Sequence, residues 1–326
     1  MSNEPLSADH EAVLATLPGD IAKSLRSLGK TLQRAKACEQ EAKPEPEPEK
    51  TPQEAQLILF PKWADDRRAA MHAAFRSALF PVLNNKQKRR FLEAVHLPSV
   101  EGVDVIFTGQ QFDQSDLDVY LELLNIAHET PFGIECCFTA YGLLKALGRA
   151  TGAEQYQQLH AQLVRLRGGT VDMTDHKVRY LGGLIEGAIK DEITAAYTVS
   201  INPKWARYFK AGMWASLDNG QRRALGRNQT AKALHAYYST HAAPGPHRYE
   251  TLAGILGLTN SNKRQLRANI IKAHDELKQV GFLSDYEAGA ETISVTINHT
   301  PSQARHIVGK ITKSRKRRTK GESKLS

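Results

Sequence analysis

The stretch YETLAGILGLTNSNKRQLRANIIKAHDELKQVGFLSDYEAGAETISVTI, residues 249–297, decides the fold. Tyr249 to Leu256 reads as a helix, with Gly257 as the turn after it. Asn262 to Val280 reads as a longer helix, because Leu266, Ile270, Ala273 and Leu277 recur at spacings of three and four and so share one face. Gly281 stops it. Phe282 to Tyr286 and Thr292 to Ile297 then alternate as strands about the tight turn Ala288-Gly289-Ala290. A further helix, Gln229 to Tyr238, precedes them and is broken off by Pro244-Gly245-Pro246. Helix, turn, helix, hairpin is the order of a winged helix.

The same order is expected upstream. Val103 to Thr108 alternates as a strand, Ser115 to His128 is helical with Leu117, Leu121 and Leu124 on one side, and Ile134 to Phe138 is a short strand. Thr139 to Leu147 is a helix closed by Gly148. Thr151-Gly152-Ala153-Glu154 reads as a capping box opening a helix to about Arg167, with Tyr156, Leu159, Leu163 and Leu166 inward. Gly168-Gly169 ends it, and Thr170 to Met173, Val178 to Ile189 and Thr194 to Ile201 read as strands. The fold expected is α+β, mainly helical: two tandem winged-helix domains with a disordered N-terminal region and a basic C-terminal tail.

Charge narrows the partners. The 326 residues carry a formal +9, but from Arg305 to Ser326 nine basic residues face only Glu322, so nearly all the excess lies in that tail. A basic tail gives salt-sensitive, sequence-independent attraction to nucleic acid. Specific recognition must come from placement within the folded part. On the helix from Asn262, Lys263, Arg264, Arg267 and Lys272 avoid the apolar stripe, as residues reading guanine or phosphate in a major groove must. On the helix from Thr151 the outward residues are Gln155, Gln157, Gln158, His160, Gln162, Arg165 and Arg167. Glutamine can bond an adenine edge bidentately, so Gln155, Gln158, Gln162 and Arg165 are the candidates there.

Other chemistries leave no trace. No G-x-x-x-x-G-K-[ST] cradle is present, no two histidines sit two apart around an apolar residue, and there is no C-x-x-C or H-E-x-x-H, so no enzyme activity, cofactor or metal is expected. Tyr237-Tyr238, between His235 and His241, falls where core is expected. Cys38, Cys136 and Cys137 read as reduced and buried, and no apolar run or leader points to a membrane or export, which leaves the cytoplasm.

Ahead of the domains, Ile21, Leu25, Leu28 and Leu32 form a short amphipathic pattern, and Lys43 to Pro52 alternates proline with glutamate as an extended linker. Directly after it stand Gln56-Leu57-Ile58-Leu59-Phe60, apolar groups beside a solvated linker, in the manner of a docking peptide. The boundaries expected are 1–55 flexible region, 56–60 peptide, 61–101 partly ordered linker, 102–210 and 211–300 winged helices, and 301–326 tail.

These residues resemble the TrfA-type plasmid replication initiation proteins. Gln56-Leu57-Ile58-Leu59-Phe60 is similar to that family's Q-L-x-L-F peptide, and Arg76-Ser77-Ala78-Leu79-Phe80 to its R-S-A-L-F block. Thr108-Gly109, Thr130-Pro131-x-Gly133, Tyr141-x-Leu143, Leu147-Gly148, Ser239-x-His241, Glu250-Thr251, Lys263, Glu276-Leu277 and Gly281 follow in the family's order. The N-terminal 50 residues and the basic tail have no counterpart in this resemblance. It implies an initiator that binds direct repeats of double-stranded origin DNA, helps open an A+T-rich region and engages host helicase machinery. It also implies that Gln56, Leu57, Leu59 and Phe60 dock in the cleft of the bacterial sliding clamp, with Phe60 as anchor. Single-stranded DNA of the opened region and a second copy of the chain are further partners it leaves open. The runner-up is a tandem winged-helix transcriptional regulator of a plasmid or mobile element.

Overall fold

Small apolar side chains allow the first described segment to be buried on both faces. Arg67–Met71 forms strand β1 and His72–Phe75 a one-turn helix α1, in which Ala69, Ala70, Met71 and Ala73 are wholly inaccessible. The computed structural model describes residues 60–83, 88–128, 135–176, 178–194, 196–205, 208–209, 212–258 and 262–299. Gln56, Leu57, Leu59, the amphipathic pattern at 21–32, the linker at 43–52, Cys38, Thr130-Pro131-x-Gly133 and the tail at 301–326 lie outside them.

Phe91–Leu97 (β2) and Val103–Gln110 (β3) follow, then Gln114–Ala127 (α2), Glu135–Thr139 (β4), Ala140–Ala146 (α3) and Ala153–Gly168 (α4). Thr170–Asp175 (β5), Val178–Gly182 (β6), Ile185–Lys190 (β7), Ala196–Ile201 (β8) and Trp214–Asp218 (β9) lead to Asn219–Ala224 (α5) and Gln229–Tyr238 (α6). His247–Arg248 (β10), Tyr249–Ile255 (α7), Lys263–Gln279 (α8), Leu283–Ala288 (β11) and Thr292–Ile297 (β12) complete the described chain. Twelve strands and eight α-helices among the described residues correct the expectation of a mainly helical protein; strand and helix are comparably represented.

Two stretches share one element order. α2-β4-α3-α4-β7-β8 and α6-β10-α7-α8-β11-β12 each run helix, strand, helix, helix, strand, strand, and each closes a three-stranded antiparallel sheet whose last strand is central: β4-β8-β7 and β10-β12-β11. The first stretch carries an insertion. β5 and β6 leave it to join β3 and β2 in a separate four-stranded sheet of order β2-β3-β5-β6. The expected single strand Val178 to Ile189 is therefore two strands of two different sheets, parted at Gly182-Gly183.

The described residues fall within one compact unit containing two hydrophobic clusters. One is built from Phe60 to Leu217 with Ala236, the other from Leu225 to Ile297. Of the segment 61–101, expected as a partly ordered linker, the described residues include apolar groups from Ala70 to Phe80 buried in the first cluster and Val82 packed on the second. Leu79 and Phe80 of the R-S-A-L-F block are buried, the Ser77 hydroxyl donates to the Ala73 carbonyl, and β1 pairs along its length with β9. Arg76 reaches the C-terminal end of α6, donating to the Thr240 hydroxyl and carbonyl at 2.9 and 2.7 Å.

Between the clusters the polar groups are shared out. The buried Arg222 donates to Asp118 at 2.6 Å, to the Lys232 carbonyl and to Gln114, while Lys232 takes the other Asp118 oxygen at 2.8 Å. A buried charge of this kind is tolerated only when fully paired. Cys136 and Cys137 are neighbours in β4 and so face opposite sides: Cys136 is buried and Cys137 is exposed, which corrects the expectation that both are buried.

Candidate nucleic-acid interface

The N-terminus of α8 is built by Asn262, whose side-chain oxygen accepts from the Gln265 amide at 3.1 Å. Leu266, Ile270, Ala273 and Leu277 face the second cluster, as their spacing requires. The opposite face presents Arg264, Gln265, Ala268, Asn269 and Lys272 to solvent. Among the described residues neither Arg264 nor Lys272 has a carboxylate partner. Lys263 does, pairing with Glu250 at 2.6 Å, but both are largely exposed, so the pair is weak and exchangeable for a phosphate. Its hydrogen bond holds the Glu250 carboxyl below the usual range.

Arg267 is placed differently from the expectation. It is half-buried, donates to the Gly289 carbonyl at 3.1 Å and lies 5.6 Å from the centre of the Tyr249 ring. It ties α8 to the β11–β12 turn rather than projecting into a groove. Two polar residues escaped the sequence reading, which searched for charge. Gln265 donates from its amide to Asn269 at 2.8 Å, one turn away, leaving an acceptor on Gln265 and a donor on Asn269 to face outward. That is the complement of an adenine edge. The i, i+4 placement of two amides on the face opposite the leucines is the signal that was available.

In the first stretch the equivalent helix is α4. Its cap is Gly152, without a side-chain bond, so the box expected at Thr151 and Glu154 does not form: the helix starts one residue too late for it. A reciprocal cap forms elsewhere, where Asp113 and Asp116 open α2. Of the four candidate readers on α4, two are corrected. Gln162 is 3% exposed, its amide donates to the Ser115 hydroxyl at 2.6 Å and its oxygen accepts from Arg149 at 2.8 Å. Arg165 is held on the fully buried Asp116 at 2.7 Å, beside Arg89 on the same carboxylate. Both are structural. Gln158 stays exposed, bonded at 2.8 Å to Glu154, and Gln155 is half-buried.

Tyr238 is a core residue. Its hydroxyl meets His274 Nε2 at 3.0 Å, and burial pushes the phenol pKa well up, away from a nucleophile's needs. Among the described residues no group of three or more His, Cys, Asp or Glu is placed to hold a metal, and no helix is long and apolar enough to cross a membrane.

The family model of the TrfA protein matches residues 40–288. The plasmid replication initiator protein TrfA of Escherichia coli is 26% identical over an alignment of 239 residues that covers 71% of this chain and 62% of that relative; the chain thus matches less than two thirds of the relative's length. Among solved structures, a selenomethionine form of domains 2 and 3 of RctB covers 70% of this chain and 99% of its own, at 9% identity and a TM-score of 0.48. The Pi initiator protein in complex with iteron DNA covers 57% of this chain and 95% of its own, at 11% identity and a TM-score of 0.42.

Proposed function

The chain belongs to the TrfA protein family, and from that premise we propose that it is a plasmid replication initiator whose two repeated modules act as winged helices on double-stranded origin DNA. The observation that carries the reading is the outer face of α8, where Arg264 and Lys272 stand uncompensated beside the Gln265–Asn269 amide pair while the other face seals a core. α8 is then the helix that reads direct repeats. α4 keeps only Gln155, Gln158 and exposed residues such as Arg167, a set suited to positioning on the backbone more than to reading bases. The tail adds sequence-independent affinity. Without a nucleotide cradle, opening of the A+T-rich region draws on binding energy and on host helicase.

The test is duplex binding to origin repeats and to a scrambled duplex at fixed salt. Wild-type protein prefers the repeats; Arg264→Ala narrows that preference. No preference in the wild type would end the reading.

Clamp recruitment through Gln56 to Phe60 forms part of this proposal, but one observation favours a second reading. Phe60 is 4% exposed and packs on Trp63 and Phe209 of its own chain. A tandem winged-helix regulator needs no clamp, and for it Phe60 is simply core. Measuring clamp affinity separates the two.

A further inference from the structure

Between α2, the α3–α4 turn, α5 and α6 lies a cleft of about 1000 Å³. Eight arginine or lysine side chains line it against three acidic ones. The three carboxylates are already engaged: Glu122 by Arg68 at 2.7 Å, Asp113 by Arg89, and Asp118 by Arg222 and Lys232. Burial opposes the charge on Asp118, yet Arg222 and Lys232 hold its carboxyl below the ordinary range. These pairs cancel within the wall.

Arg165 is taken by Asp116 behind the wall, and three cations form no ion pair among the described residues, although Asp118, Asp113 and Asp116 act on Arg149 from a distance. Arg149 is half-buried and donates only to neutral groups, the Gln162 oxygen at 2.8 Å and the Ser115 hydroxyl and carbonyl at 3.1 Å each. Burial lowers its pKa, but an arginine stays charged in proteins. The Arg223 guanidinium lies against Gly148, the residue before Arg149, where an added methyl would come within 2.7 Å of Nη2. Arg223 and Arg227 are exposed and have no carboxylate partner among the described residues. The negative end of α3 favours one cation near Gly148, which accounts for Arg223 but not for three. Among the described residues no aromatic side chain lines the cleft, so these offer no platform for stacking a base. Planar guanidinium forks match the oxygens of phosphate.

We propose that this cleft is a phosphate-binding site in which Arg149, Arg223 and Arg227 receive phosphate oxyanions, supplied by the DNA backbone or by a free polyphosphate. Both sources offer the same oxygens, and one double variant distinguishes them. Arg223→Ala with Arg227→Ala removes two exposed side chains outside any ion pair, so without ligand the full-length variant melts only slightly below the wild type, by the lost contact of Arg223 with the end of α3, and each protein is compared with its own ligand-free melting temperature.

In the first arm, thermal unfolding is followed with sodium pyrophosphate and with sodium chloride of equal ionic strength. A saturable rise in the wild-type melting temperature, lost in the variant, assigns a free phosphate ligand. In the second arm, duplex affinity is followed against salt. A slope of log K on log salt shallower in the variant by roughly 1.8, at unchanged sequence preference, assigns two backbone contacts. If pyrophosphate has no effect and the slope is unchanged, the proposal is overturned, while specific duplex binding by the wild type would leave the initiator reading standing. Pyrophosphate protection without duplex binding would do the reverse.

Discussion

Arg264 and Arg267 stand three residues apart on α8, and their surroundings predict different phenotypes. Arg264 is exposed without a carboxylate partner, so Arg264→Ala costs about 1–3 kcal/mol at one base step if it reads a guanine, and relaxes preference there. A loss equal on every sequence would reassign it to phosphate. Arg267 bridges to Gly289 and Tyr249, so Arg267→Ala loosens the hairpin turn and weakens binding to all sequences alike. His235 makes a prediction in solution. It is fully buried, neither ring nitrogen has a partner among the described residues, and burial together with Arg222 and Arg67 pulls its pKa from 6.5 to about 3. The unfolded chain binds that proton first. Its neutral form thus adds stability above about pH 6.5 that is lost as pH falls toward 3, at up to about 1.4 kcal/mol per pH unit. Denaturant midpoints between pH 7 and 5 should therefore fall less in His235→Leu than in the wild type; part of the fall remains, because burial also pulls His72 down to about 4. Identical slopes would place the wild-type ring in water. None of these environments is written in local sequence. Gln162 and Arg165 looked outward by helical spacing, but their partners Ser115, Arg149 and Asp116 come from segments that no periodicity of α4 can reveal.

At the scale of elements, what was legible follows from local pattern. α8, α6 and α4 were readable because a 3.6-residue apolar period is written into each, and β5 and β8 because buried and less buried residues alternate along them. β1 and β9 were not: Ala69, Ala70 and Met71 of β1 are buried on both faces, so they show no alternation, and β9, although it alternates, is only five residues long and is completed by a partner far away in sequence, as in the Arg67–Asp218 pair. The β5–β6 insertion was hidden for a related reason, since nothing in Val178 to Ile189 states that its halves belong to different sheets. Two glycines at helix ends test how tightly elements are fitted. Gly257 has φ +65 and a methyl there would lie 2.3 Å from the Pro81 side chain, next to the bond from the Val82 amide to the Leu256 carbonyl. Gly281 has φ +74 with open space around it. Gly281→Ala should cost about 1–2 kcal/mol for the left-handed backbone alone. Gly257→Ala adds overpacking of about 1–3 kcal/mol to the same backbone term. Equal denaturation midpoints would mean that the Pro81 contact yields freely.

At the scale of the whole molecule, the proposed clamp role sets the fold and a partner in competition for Phe60. Its ring lies 5.0 Å from Phe209 and 5.9 Å from Trp63, centre to centre, within the first hydrophobic cluster. A side chain cannot fill that seat and anchor a peptide in a clamp cleft at once. If clamp binding occurs, the chain must first release Phe60, losing about 1.5–3 kcal/mol of apolar burial. Apparent affinity falls by the fraction of molecules that have released it. A fluorescent peptide from Pro52 to Ala64 should therefore bind a bacterial sliding clamp roughly 10- to 150-fold more tightly than the whole chain. Replacing Leu59 and Phe60 by alanine in the peptide should abolish binding. Phe209→Ala in the whole chain removes one wall of the seat and should narrow the gap, while a deletion in the core lowers overall stability. Equal affinities for peptide and chain would show that the seat does not restrain Phe60. If neither binds, the clamp role is lost and Phe60 is a core residue alone. In the proposed initiator, any event that loosens the Trp63–Phe209 seat of Phe60, DNA binding included, would raise clamp affinity without a new contact.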